Sequence, residues 1–406
     1  MSQESPPTRF IGLDVHKHYL VAAGVDAELH QVLGPQRVQL TDLDQWLRRT
    51  VWVSDALVLE MTTNTFQMYD DLAPFVHSVT VVHPPHVALL TRVQVRTDKL
   101  AALTLARLHA VGLLPPVWVP PPEVRDQRAV LAQRAKMARL STQAKNRLHA
   151  LLHRRHLLPP RHEPFAPERR DWWLALPLSL LERAQVECDL ATLAFARSQI
   201  TRLEATLSGL AAEQNDRLVS LLQLLGLAVI SGLTLLAAIG DVGRFPTAKH
   251  LVGYAGLGAR VHDSGQTHHT GRITKTGRRD IRAVMVEAAH TASRVHPYWR
   301  AELARLEPRL GHNKAIVAIA RKLLVVTWHA LSDGEADHMA EPEQVARKLM
   351  QHAYRLGMAC RPSGLTCGQY VRQQLDRLGL GAELTAIRWR NRTIALPQRR
   401  QPMPAS

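Results

Sequence analysis

Three carboxylates stand where chemistry could use them. FIGLDVHK holds Asp14 near the close of an apolar run, ALVLEMT holds Glu60 at the end of another, and VRTDKLAALTLARL opens a helical pattern with Asp98. A lone carboxylate in an apolar strand is costly unless it is paired or binds a cation. Clustered carboxylates are hard oxygen ligands for Mg²⁺ and suit phosphate chemistry. A fourth acid at position 101 would share the helix face of Asp98, because residues i and i+3 are neighbours. The residue there is Ala101, which removes a carboxylate while keeping helix propensity. The position therefore reads as a substitution that silences a site. Each acid also has a plainer reading. Asp98 could complement a helix dipole, and Asp14 could pair with Lys17 or a nearby arginine. Spacing alone leaves both readings open.

A second stretch, LVGYAGLGARVHDSGQTHHTGRITKTGRRDIRAVMVEAA, places Ser264 in Asp-Ser-Gly ahead of Arg272, Lys275, Arg278 and Arg279. Asp-Ser-Gly is ordinarily a turn in which the serine caps a backbone group, and the cations could grip phosphates. A third stretch, residues 125–156, holds nine Lys or Arg against one acid, Asp126. Solvated charged faces carry interspersed acids. Their lack favours nucleic acid as the partner of Arg128, Arg134, Arg139, Lys145, Arg147 and Arg154.

These residues need elements to position them. Residues 9–38 read as two or three strands, 40–49 as a helix capped by Thr41, 56–61 as a buried strand, and 65–75 as a helix. SVTVVHPPHV (78–87) reads as a strand ended by its proline pair, and 97–112 as a helix capped by Thr97. The order predicts a mixed sheet with helices on its faces. LLPPVWVPPPE (113–123) reads as a stiff linker. The basic helix and 171–216, with leucines near heptad spacing, predict an antiparallel helical hairpin or coiled coil. Residues 217–335 predict a mainly helical domain, and 336–406 a tail with a short amphipathic helix and a basic end. The expected domains are thus 1–115, 116–216, 217–335 and 336–406.

Composition narrows the class. The 406 residues carry 51 Lys plus Arg against 35 Asp plus Glu, a net charge of +16. That balance favours a polyanionic partner. Three widely spaced cysteines, Cys188, Cys360 and Cys367, argue against a disulfide framework or a zinc site and for a reducing compartment. The polar first residues lack a secretory signal. Leu218–Gly240 carries no charge, but its polar residues and glycines predict two buried helices around a turn rather than a membrane span.

FIGLDVHK, LEMT and TDKLxALTLARL resemble the RuvC-like half of bacterial "one-ten" insertion-sequence transposases, which carry a DEDD tetrad. GLxxRxxxSGxxxxxGxITKxGxRxIR resembles the second region of the same family. The resemblance implies an α/β RNase H-like N-terminal domain and a mainly α C-terminal domain with a helix-hairpin-helix turn at Gly226-Leu227-Ala228. It implies Mg²⁺ or Mn²⁺ held by Asp14, Glu60 and Asp98, with Ala101 at the place of the fourth acid. It makes Ser264 the nucleophile on a DNA phosphodiester. By proximity, His262, His268 and His269 are candidates for its base. It also implies donor and target DNA, a structured bridge RNA held by the N-terminal domain and basic helix, a homodimer that becomes a tetramer at synapsis, and a bacterial cytoplasmic setting. Two other readings stay open: a Holliday-junction-type metal nuclease without a covalent intermediate, and a non-catalytic nucleic-acid binder.

Overall fold

The structure, a computed structural model of the chain, describes residues 6–90, 97–264, 267–334, 336–361, 364–389 and 392–398. Its description excludes the side chains of 261–264, 267–270, 272 and 358–360. The chain divides into two compact units, Met1–Pro121 and Pro122–Ser406.

The first unit runs β1 (Arg9–Val15), β2 (Tyr19–Val25), β3 (Gln31–Gln39), α1 (Leu43–Thr50), β4 (Asp55–Glu60), α2 (Thr65–Leu72), β5 (Ser78–Val82), α3 (Pro84–Leu90) and α4 (Asp98–Ala110). The strands form one sheet in the order β3-β2-β1-β4-β5. β1 pairs antiparallel with β2 and parallel with β4, and β4 pairs parallel with β5. The expected mixed sheet is therefore present. Alternation along the strands splits the core in two. Ile11, Leu13, Leu57 and Leu59 pack on one face with Trp46, Leu47, Met68 and Leu72 from α1 and α2. Val21, Ala23 and Val58 face the other way, towards Ala102 and Leu105 of α4. At the sheet's lower end the buried Arg9 guanidinium grips Asp55 through Nε (2.8 Å) and Nη2 (2.6 Å).

Two local expectations are corrected here. Strand β5 stops at Val82, and the proline pair begins helix α3 instead of closing the strand. Proline suits a first helical turn because it has no N–H to satisfy there. Thr41 does not cap α1: a 3₁₀ turn, Leu40–Asp42, precedes the helix, and the Thr41 hydroxyl donates to Asp42. Thr97 does cap α4, accepting from the Leu100 N–H at 3.3 Å.

The second unit begins with α5 (Pro122–Arg154), a short α6 (Arg170–Leu174) and α7 (Leu180–Glu213). Arg134 meets Glu204, Arg147 meets Asp189 and Arg155 meets Glu182, so the partners descend as α5 ascends and the pair is antiparallel. Next come α8 (Asn215–Leu222), α9 (Val229–Ile239), α10 (Ala248–Tyr254), the hairpin β6 (Ala259–Ser264) with β7 (Thr267–Ile273), and α11 (Arg279–Val295). The chain continues through α12 (Pro297–Leu310), α13 (His312–Ser332), α14 (Pro342–Cys360), α15 (Cys367–Arg377), β8 (Ala386–Trp389) and β9 (Arg392–Ala395).

The uncharged segment 218–240 forms α8, a turn and α9, buried in this unit's main core. α13 is long and apolar enough to cross a membrane. It lies in the same core through Ile316, Ile319, Leu323 and Leu324. The tail departs from expectation. It holds two helices and a β-hairpin whose Ile387 and Leu396 join the core.

Candidate functional site

In the first unit, Leu13 of β1 lies opposite Leu59 of β4. The next residues along these parallel strands are Asp14 and Glu60, at the C-terminal edge of the two central strands. Since Leu13 and Leu59 point into the α1/α2 core, alternation turns Asp14 and Glu60 towards the face that α4 covers. α4 can come close because β1 carries Gly12. A Cβ there would stand 2.0 Å from the Ala102 carbonyl oxygen and 2.7 Å from the Ala106 nitrogen. That close approach brings the first turn of α4, with Asp98, to Asp14.

A third group joins them. His16 Nε2 lies 3.5 Å from Asp14 Oδ2 and 3.3 Å from Asp98 Oδ2. The three donor atoms all fall within 4.8 Å of one another. His16 Nε2 is sealed from solvent yet aligned as a hydrogen bond to neither carboxylate. The imidazole stacks on Tyr19, with ring centroids 4.6 Å apart, and the Tyr19 hydroxyl donates to Asp98 Oδ2 at 3.0 Å. The Arg37 guanidinium covers the tyrosine ring at 3.8 Å.

Burial raises the Asp14 pKa, and the nearby Asp98 charge adds to the rise while His16 opposes it. The bond to Asp98 raises the Tyr19 pKa. A carboxylate whose charge is disfavoured by burial, a second carboxylate beside it and an unaligned imidazole nitrogen make a donor set that a divalent cation would relieve. Reading the sequence for acids missed His16 and Tyr19. The signal was present: His16 follows Asp14 by two residues, and in an extended chain such residues share a face. Glu60 holds the adjacent strand end but is not among the three convergent donors. Ala101 sits three residues beyond Asp98, its N–H bonded to Thr97.

In the second unit, Ser264 pairs with Thr267 across the β6–β7 hairpin, and Asp263 and His262 pair with His268 and His269. The side chains of Ser264, Arg272 and these histidines lie outside the described residues. The base of the hairpin is fixed backbone to backbone. Gly256 and Gly277 both have positive φ, and a Cβ on either would fall within 2.4 Å of a carbonyl oxygen, that of Thr276 or Tyr254. Arg278 is ion-paired to Asp280, and Arg282 donates to the Ala255 carbonyl at 2.8 Å. Lys275 and Arg279 are exposed.

At the turn Gly226-Leu227-Ala228 two backbone N–H groups are already used. The Ala228 N–H donates to Ser231 Oγ at 2.7 Å and the Leu227 N–H to the Leu224 carbonyl. Gly226 instead seats the turn on α11, where a Cβ would meet the Ala288 oxygen at 2.5 Å.

The six basic residues of α5 have different surroundings. Arg128 donates to the Ala237 and Ala238 carbonyls at the end of α9. Arg134 and Arg147 hold α7 through Glu204 and Asp189. Lys145 lies 5.8 Å from the centre of the Phe165 ring. Arg139 and Arg154 are exposed with no acidic partner among the described residues.

The sequence profile of the Transposase IS116/IS110/IS902 family matches residues 219–304, which run from α8 through the Ser264 hairpin into α12. The chain is 27% identical over 258 residues to the pilin gene-inverting protein of Moraxella bovis, covering 62% of this chain and 72% of that protein. It is 25% identical over 349 residues to a protein described as a probable family 20 transposase of Pseudomonas aeruginosa, covering 79% and 96%. It is 22% identical over 348 residues to the transposase for insertion sequence element IS1111A of Coxiella burnetii, covering 80% and 90%. With the profile centred on the serine hairpin and these relatives reaching across both units, the comparisons support an IS110-family insertion-sequence transposase.

Proposed function

We propose that this transposase breaks and rejoins DNA with Ser264 as nucleophile, assisted by a divalent cation at the Asp14 site. The observation that carries the cation half is the convergence of Asp14, His16 and Asp98 within 4.8 Å from a strand, a turn and a helix start. The serine half is supported by the family profile, which spans the hairpin that bears Ser264. The sheet order, with its antiparallel second strand, supports an RNase H-like reading of the first unit.

Asp14 and Asp98 would supply hard oxygens and His16 Nε2 a nitrogen. Bound there, the cation would stabilise negative charge on phosphate oxygens. Tyr19 holds Asp98 in place, and Arg37 holds Tyr19. The Ser264 hydroxyl attacks phosphorus as its proton passes to a base. A serine–phosphate ester forms, and one sugar oxygen leaves and is protonated; a sugar hydroxyl of a new strand then attacks that phosphorus, and the Ser264 oxygen leaves and regains its proton, which rejoins the DNA. Lys275 and Arg279, exposed at the hairpin base, would meet phosphates.

Mg²⁺ or Mn²⁺ as the ion, a guide RNA on the exposed basic face of α5, assembly as dimer and tetramer, and a cytoplasmic setting complete the proposal.

The test is a denaturing gel of labelled DNA, digested with protease after shift, using the chain as it stands, Ala101→Asp, and each with Ser264→Ala. A protease-sensitive adduct that grows with Ala101→Asp and vanishes with Ser264→Ala is expected. Cleavage that survives Ser264→Ala without any adduct would leave the metal-only nuclease as the better reading.

A further inference from the structure

The C-terminal part of the second unit lies beyond the stretch the family profile covers, and it carries a groove that the proposed reaction does not use. One wall is a face of α14, with Arg347, Tyr354 and Arg355 at helical spacing. The other is the β8–β9 hairpin, with Arg388, Trp389 and Arg392. The space between them measures about 1500 Å³. Arg347 is paired with Glu343 on its own helix. Arg355, Arg388 and Arg392 have no acidic partner among the described residues, and no carboxylate lines the groove.

Trp389 and Tyr354 stack across it, with centroids 5.8 Å apart and planes 10° from parallel. Tyr354 is nonetheless 56% exposed. A hairpin that only closed the core would balance its cations. Ile387 does the burying here, at 1% exposure. Trp389 is partly buried against the core, and its stacking partner Tyr354 keeps the pair open to solvent among guanidinium groups.

We propose that this groove binds a single-stranded stretch of nucleic acid, with the phosphates on Arg355, Arg388 and Arg392 and an unpaired base on the Trp389–Tyr354 pair. Cations tracking a backbone beside exposed aromatic faces are the chemistry that holds single strands. A duplex keeps its base faces stacked on each other and offers the aromatic pair nothing. The proposal does not depend on Ser264 or on the cation site.

The test uses the full chain and 20-residue oligonucleotides bearing 5-iodouracil, as RNA, as single-stranded DNA and as duplex DNA. Irradiation is followed by peptide mapping. Crosslinks to Trp389 or Tyr354 from the single strands, and weaker ones from the duplex, are expected. The stronger of the RNA and DNA arms identifies the sugar. Arg388→Gln with Arg392→Gln should lower the slope of log affinity against log salt by about 1.4 for a single strand. Trp389→Ala should weaken binding by about 5- to 150-fold, the loss of one base–aromatic stack, and Trp389→Phe should restore most of it. Trp389 also packs the hairpin on α14, so the arginine pair, which changes charge alone, decides the matter if Trp389→Ala unfolds. Crosslinks that map only elsewhere, a duplex that crosslinks here as well as a single strand, or an arginine double variant with unchanged slope and yield would overturn the proposal.

Discussion

Gly12→Ala is the sharpest test of how the first unit builds its site. The added Cβ would stand 2.0 Å from the Ala102 oxygen, about 1.4 Å short of ordinary contact, with the Ala106 nitrogen and Leu105 Cβ also inside 3 Å. Two of these three are helix backbone and cannot rotate aside, so α4 itself must retreat. Overpacking of this kind costs about 1–3 kcal/mol, and a backbone clash belongs at the upper end. For a unit of this size, about 3 kcal/mol lowers the melting temperature by roughly 10 °C.

The retreat should also part Asp98 from its neighbours. The Tyr19–Asp98 bond of 3.0 Å and the His16–Asp98 distance of 3.3 Å have no slack for a shift of that size. Metal–ligand distances tolerate only about 0.2 Å, so Mn²⁺ affinity should fall by roughly an order of magnitude or more. Differential scanning fluorimetry, hydrogen exchange of the α4 peptides and Mn²⁺ titration measure the three effects. Gly34→Ala is the control, since the nearest atom to its Cβ is a glutamine side chain at 3.7 Å. If Gly12→Ala melts within about 2 °C of the parent, keeps α4 protection and binds Mn²⁺ as before, then α4 is not seated on β1 as described.

Other expectations follow from single groups. An imidazole in the donor set favours Mn²⁺ over Mg²⁺, so calorimetry should show tighter Mn²⁺ binding, and His16→Gln should narrow the gap; equal selectivity in both proteins would remove His16 from the set. Burial lowers the Lys348 pKa from 10.5 to about 8, while its ammonium reaches the Leu222 and Leu224 carbonyls. Above pH 8 the folded chain sheds this proton before the unfolded chain does, so the penalty of at most about 3 kcal/mol is fully present below pH 8 and gone above pH 10.5. Stability measured by urea unfolding should therefore rise across that window relative to Lys348→Met, and parallel pH profiles would contradict it. Arg139→Gln with Arg154→Gln should flatten the salt dependence of RNA binding by about 1.4. Arg134→Gln should instead loosen α7 and leave that slope almost unchanged; a slope that responds to Arg134 and ignores the other two would reverse the assignment.

The acids of the site were readable because each interrupts a strong local pattern. Asp14 and Glu60 end runs that are otherwise apolar, and Thr97 announces the helix that Asp98 opens. The convergence was not readable, because it depends on contacts across the fold. Nothing local says that Gly12 lies under Ala102, or that the turn closed by the His16 N–H on the Tyr19 carbonyl aims an imidazole between two carboxylates.

Charge misleads for the same reason. Along α5 the arginines look unbalanced, since their acids, Glu204 and Asp189, lie dozens of residues away on an antiparallel partner. Arg128 is held by the carbonyls that end α9. Local charge counting therefore overstates a nucleic-acid face wherever helices pair, and understates one where a short hairpin folds back beside a helix. Arg388 and Arg392 are unremarkable in the sequence. They become a surface only when β8–β9 brings them against α14, and there, unlike Arg134 and Arg147 on α5, they face no acid among the described residues.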